Sequence, residues 1–212
     1  RCFQIDQANG ETIRQYDIPA AVKHYRRWGT ITCVGNVLVG TAGWTPHSHT
    51  IFAYDLDTGK LKWAQAGSGI THISLTVTDN AVFYLTGDAD EQQRAQALAE
   101  RKAMVAKGSY VEGAERDLPA AKMDVRMAVL RDLDSGDIIW RKPLDLTDCG
   151  PRLPNWRKGA GGAKWPYVGA AYADGLLAFY GHFGNHDAHV FDWSKSKQTE
   201  RRVTVVSAAD GK

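Results

Sequence analysis

Two short patterns recur along this chain, and a chain assembled from recurring hairpins has few folds open to it. The first pattern is a pair of apolar runs joined by a tight turn: TCVGNVLVGTAG from Thr32 to Gly43, TVTDNAVFYLTG from Thr76 to Gly87, and AYADGLLAFYGH from Ala171 to His182. Gly35-Asn36, Asp79-Asn80 and Asp174-Gly175 are turn pairs that accept positive φ, so each segment predicts a β-hairpin. The second pattern is QIDQANGETIR from Gln4 to Arg14, AYDLDTGKLKW from Ala53 to Trp63, LRDLDSGDIIW from Leu130 to Trp140, and the shorter VSAADGK from Val206 to Lys212. Here a strand runs into Asp, or Ser in the last copy. A polar loop follows, then a Gly where the backbone needs a left-handed conformation, then a second strand.

Each unit holds the first hairpin followed by the second, which makes four antiparallel strands. The Gly residues of the second pattern, Gly10, Gly59, Gly136 and Gly211, fit a unit of about 45 to 50 residues with insertions in two of the copies. Four strands per unit is the blade of a β-propeller. The chain is therefore expected to be all-β and to form a single partial propeller domain over residues 1–212. About three blades are present, fewer than the roughly four to eight with which a propeller closes. It opens on the last hairpin of one blade. The predicted strands of the next are Thr30–Val34, Val37–Ala42, Thr50–Asp55 and Leu61–Ala66, followed by Ser74–Thr78, Ala81–Thr86, Arg126–Asp132 and Ile138–Lys142. Val168–Ala173, Leu176–Gly181 and Arg202–Ala208 belong to the last.

A helical insertion is expected within residues 88–124. Asp88 with Glu91 forms a capping-box spacing, and Gly108 supplies a stop. Ala95, Leu98, Met104 and Val105 form its apolar stripe, while Glu91, Arg94, Glu100, Arg101 and Lys102 face water.

With 26 Lys+Arg against 24 Asp+Glu, the net charge offers no electrostatic grip on a phosphate backbone, and nucleic acid is not an expected partner. No run of about 18 apolar residues could cross a membrane as a helix. The odd count of 3 Cys excludes a fully paired disulfide framework, and Cys33, inside an apolar run, reads as a small buried hydrophobe.

AYDLDTGKLKW and LRDLDSGDIIW resemble the repeat of pyrroloquinoline-quinone-type propellers, in which a strand ends on Ala-x-Asp, a Thr-Gly-Lys-like turn follows, and the next strand ends in Trp. The resemblance rests on Asp55, Gly59 and Trp63 and on Asp132, Gly136 and Trp140. It is partial at Asp6, Gly10 and Arg14, where the Trp is lost. It implies a full propeller of about seven or eight blades, a bacterial protein of the periplasm or extracellular space, and a Trp docked between neighbouring blades. Proteins with this repeat include quinone-dependent dehydrogenases as well as binding and assembly modules. The leading expectation is a binding or scaffolding module whose partner is another protein or the remainder of the propeller. The alternative is part of a quinoprotein-type oxidoreductase carrying the quinone with calcium, or a His-ligated metal or haem.

Under that alternative, the cofactor-contact candidates are Trp156 and Trp165, in a loop that mixes aromatic and basic residues. The metal candidates are His182, His186 and His189 in GHFGNHDAH. His47 and His49 lie at the matching junction of an earlier unit, and His72 reads as a hydrogen-bonded structural residue. The catalytic residue remains unassigned.

Overall fold

The computed structural model of the protein describes residues 1–22, 27–44, 47–87, 89–107, 124–146, 149, 168–181 and 203–212. Among them, antiparallel strands predominate and there is one α-helix. The chain divides into two compact units, residues 1–86 with 129–140 and residues 87–128 with 141–212.

The first unit begins with a hairpin of β1 (Cys2–Ile5) and β2 (Thr12–Tyr16). A four-stranded sheet follows in chain order: β3 (Trp28–Val34), β4 (Val37–Trp44), β5 (His47–Asp55) and β6 (Leu61–Thr71). The next sheet has the order β10-β9-β8-β7, from β7 (Thr76–Val77), β8 (Ala81–Thr86), β9 (Val125–Asp132) and β10 (Ile138–Asp145). Strand β7 is shorter than the expected Ser74–Thr78 because His72–Ser74 winds into a 3-10 turn. There the Ser74 hydroxyl donates to the Thr71 carbonyl at 2.7 Å and accepts the Leu85 amide at 2.9 Å, so a side chain does what a ladder bond would have done.

Alternation sorts the β3–β6 sheet into two faces. Val37, Val39, Ile51 and Ala53 share one face, which, with Trp63 and Ile70, packs on Val82, Tyr84 and Val129 of the β7–β10 sheet. Phe52 lies on the other, against Val22 and Ala42 and beside Ile18 and Trp28. Gly40 is needed there, because a Cβ would collide with the Trp28 and Phe52 rings. Cys33 is exposed, not buried. Strand β3 is a sheet edge, and alternation turns Ile31 and Cys33 to its uncovered side.

The polar turns share one geometry. Gly10, Gly59, Gly136 and Gly211 have φ of 76°, 72°, 74° and 68°. In each turn the Gly amide donates to the carbonyl of the residue four earlier, Asp6, Asp55, Asp132 or Ser207. That same residue's amide donates to the residue after the Gly, with all eight bonds between 2.7 and 3.0 Å. Each of the last three turns is also clipped to the first hairpin of its own sheet: Leu56, Leu133 and Ala208 donate to the carbonyls of Asn36, Asn80 and Gly175 at 2.7, 2.9 and 2.7 Å. Of the first-hairpin turn pairs, Gly35, Asp174 and Gly175 take positive φ, whereas Asp79-Asn80 does not. In that hairpin the Thr78 hydroxyl binds back to the Ala81 amide and the Asn80 side chain.

In the second unit, β11 (Val168–Ala173), β12 (Leu176–Gly181) and β13 (Thr204–Ser207) form a sheet in chain order. Its register, Leu176↔Ser207 and Ala178↔Val205, repeats Val37↔Asp55 and Val39↔Ala53 of the β3–β6 sheet. Helix α1 spans Glu91–Ala106. Its capping box uses Asp90 and Gln93 rather than Asp88 and Glu91, and Lys107, not Gly108, is its C-cap. The buried side is also rotated from expectation. Ala97 and Arg101 are buried and Leu98 packs on Ala89, Val125 and Met127, while Ala95 and Met104 are exposed. Arg101 turns inward because Asp145 meets its guanidinium at 3.3 Å. Arg94 is half-buried, its Nε donating to the Ala89 carbonyl.

The turn geometry predicts unequal costs for one substitution. Gly10→Ala strains only the backbone, by about 1 kcal/mol. Gly136→Ala adds a collision with the Trp63 ring and should cost at least about 2 kcal/mol, read as a larger loss of urea midpoint.

Candidate functional site

Two of the turns, at Gly59 and Gly136, are receptors made of backbone. Around Gly136 a side chain would occupy the place already taken by the Trp63 indole. Trp63 is buried, and its Nε1 donates to the Leu133 carbonyl at 2.8 Å. One copy earlier, Arg14 stands at the position equivalent to Trp63 and covers Gly59 in the same way, its Nη1 donating to the Leu56 carbonyl at 2.9 Å. A flat guanidinium and a flat indole thus do the same work: each lies over a glycine and satisfies the second carbonyl of the turn. Tyr16 adds to the earlier contact, its ring centroid 5.2 Å from that of Tyr54.

Beneath Trp63, Arg131 is buried with its Nε on the Tyr84 hydroxyl at 2.7 Å and its Nη1 on the Gly136 carbonyl at 2.6 Å. Lys62 pairs with Asp134 at 2.8 Å on the exposed rim. Backbone amides hold the turn carboxylates below their ordinary range: Thr58 at Asp55, Ser135 at Asp132, and Lys212 at Asp210. These aspartates are turn formers that hydrogen-bond their own loops.

A second cluster gathers inside the β3–β6 sheet. The Ser48 hydroxyl lies 2.7 Å from His72 Nε2 and 3.0 Å from Thr41 Oγ1, and Thr41 Oγ1 accepts the Thr30 amide at 2.9 Å. All three side chains converge on Gly29, where a Cβ would collide with each of them. A serine hydroxyl against an imidazole is the geometry of a nucleophile and its base. Here, however, Ser48 and Thr41 are fully buried under the Gly29 backbone, so no substrate carbonyl could reach the oxygen. The chain of hydroxyls instead ties β3, β4, β5 and the end of β6 together. Burial holds the His72 imidazole below its ordinary value of 6.5.

Trp156, Trp165, His182, His186 and His189 lie outside the described residues. His47 opens β5, paired in register with Trp44 and Thr71, and His49 is half-buried. Trp140 is half-buried with its ring centroid 6.1 Å from that of Phe83. Among the described residues, no three His, Cys, Asp or Glu side chains are grouped so as to hold a metal ion. Sequence reading singled out His72 but missed Ser48, Thr41 and Gly29.

No family model matches the chain, and no curated protein matches it. Among solved structures, the crystal structure of the computationally designed Ika4 protein is similar at 14% identity, covering 85% of this chain and 91% of that one, with a TM-score of 0.29. A likeness so loose carries no argument about fold or function.

Two outcomes follow from this geometry. Trp63→Ala should cost about 3 to 5 kcal/mol, whereas Trp63→Arg, reproducing the Arg14 arrangement, should retain most of the wild-type stability in urea unfolding. The second concerns pH. Because His72 resists protonation when folded, the unfolded chain takes up that proton first as pH falls. Stability therefore drops below about pH 6.5 and is flat above it with respect to this group. His72→Gln, which keeps a partner for Ser48, should make the slope of stability between about pH 5 and 7 shallower, measured as the denaturation midpoint against pH.

Proposed function

We propose that this chain is a run of β-propeller blades of the quinoprotein-like kind, acting as a binding or scaffolding module of an extracytoplasmic bacterial protein. The observation that carries the reading is the repeated joint: the same turn in four copies, with a planar side chain of one copy laid over the turn of the next in both Arg14–Gly59 and Trp63–Gly136. The shared register of the β3–β6 and β11–β13 sheets supports it further. A stack joined in this way is a rigid frame that carries loops between its strands, and recognition on repeat scaffolds is performed by such loops. The nucleophile-like pair Ser48 with His72 is buried under backbone and serves the frame.

The test is spectroscopic and chemical. The purified chain is titrated with pyrroloquinoline quinone and calcium, analysed for metal, and assayed with alcohols, aldehydes and sugars. A scaffold gives no stoichiometric chromophore, no bound metal and no turnover. A stoichiometric quinone, haem or metal with oxidation of any of these substrates overturns the scaffold reading in favour of a redox propeller.

A further inference from the structure

Two of the three cysteines belong to the first unit and sit on elements that face each other. Cys33 lies on β3 opposite Leu38 of β4, and Leu38 lies opposite Tyr54 of β5. Directly paired residues of antiparallel strands share a face, so Cys33, Leu38 and Tyr54 form one row across the β3–β6 sheet, on the side that carries Phe52. The row ends at Cys33 on the edge strand. On the first hairpin, Cys2 of β1 lies opposite Tyr16 of β2, and these two share a face in the same way.

The tyrosines join the two faces. The Tyr16 and Tyr54 ring centroids are 5.2 Å apart, and the Tyr54 hydroxyl donates to the carbonyl of Asp17, just past β2, at 2.7 Å. Leu38, between Tyr54 and Cys33 in the row, is buried, so the covering of this face continues from the tyrosines toward β3. With Tyr16 seated on Tyr54, its partner Cys2 lies one strand away, about 4.8 Å across the ladder. That step leads toward Cys33: the Cys2 thiol is pushed above its ordinary value by burial and, next, by the Cys33 thiol, so the two sulfur atoms are within electrostatic reach of each other. Cys149 belongs to the other unit and is buried, its Sγ 3.1 Å from Thr204 Oγ1.

We propose that Cys2 and Cys33 form an oxidisable pair that closes into a disulfide by exchange with an external disulfide, stapling the first hairpin to the edge of the β3–β6 sheet. Cys33, the exposed thiol, loses its proton and attacks one sulfur of the external disulfide, releasing one thiolate and leaving a mixed disulfide. The Cys2 sulfur, losing its proton in turn, displaces the second thiolate. One external S–S bond is reduced to two thiols, which take up the two protons, and one internal S–S bond is formed. The staple holds the hairpin at β1, where Arg14 and Tyr16 hold it at β2. The pair depends on the first unit alone, so its failure leaves the scaffold reading untouched; the extracytoplasmic setting of that reading is one in which such disulfides persist.

The native chain is incubated with excess oxidised glutathione at about pH 8.5, because burial raises both thiols and exchange needs the thiolate. It is then alkylated in denaturant and mapped by mass without reduction. Alkylatable thiols should fall from three to one, the one being Cys149, with the Cys2 and Cys33 peptides joined and no glutathione retained. The oxidised chain should unfold at a higher urea concentration than the reduced chain and lose that gain in dithiothreitol. Cys2→Ser should trap Cys33 as its glutathione adduct, and Cys33→Ser should abolish the internal link. A disulfide requires Cα atoms within about 7 Å, so a pair held farther apart keeps a glutathione on each cysteine. That result, thiols that stay unoxidised, a link to Cys149 or between chains, or a disulfide that leaves the urea midpoint unchanged overturns the inference.

Discussion

A glycine held at positive φ leaves a patch of bare backbone with a carbonyl at its edge, and in this protein another copy's flat side chain lies over that patch. Trp63 does so on Gly136 and Arg14 on Gly59, each with one hydrogen bond to the second carbonyl of the turn. The contact joins local and long-range structure. The turn takes its left-handed form where the flat group approaches, at Gly59 and at Gly136. The contact's net hydrogen-bond contribution is about 1 kcal/mol. The cluster of Val37, Val39, Ile51 and Ala53 with Val82, Tyr84 and Val129 forms just beside it.

The buried polar groups divide into two kinds. Arg131 and the Thr41–Ser48–His72 chain hydrogen-bond to backbone or hydroxyl partners, Arg131 at the desolvation cost of a buried guanidinium. Arg101 is different, a guanidinium carried into the interior by helix α1 and met by Asp145. Its ion pair is a weak source of stability, because desolvation offsets most of the attraction, but removing Asp145 alone would leave a buried charge exposed to that full cost.

The strands of the first sheet were legible because alternation and turn chemistry agree there: β3 to β6 begin and end within a few residues of expectation, and β8 coincides with it. So were the polar turns, since Asp followed four residues later by Gly has a narrow structural meaning. What the sequence could not convey was which side of an element is covered. Cys33 sits in an apolar run, yet its strand is an edge. Arg101 looks like a solvated helix residue, yet a carboxylate more than forty positions away draws it inward. Arg14 looked like a lost tryptophan, and only the coordinates reveal that it occupies the same place. The clustering of Ser48 with His72 depends on a bulge in the β4–β5 pairing and on the absent side chain of Gly29, neither of which leaves a linear trace.

The receptor for Trp63 and Arg14 contains no side chain of its own: a glycine, a carbonyl and the hydrogen bonds that hold them. Nothing in it distinguishes one incoming copy from another. Copy order must therefore be imposed by the covalent chain and by the matching of apolar faces, while the joint itself is indifferent. Such a joint lets a copy be duplicated, deleted or moved without inventing a new lock for its neighbour. It also lets the key drift from indole to guanidinium while the lock stays the same.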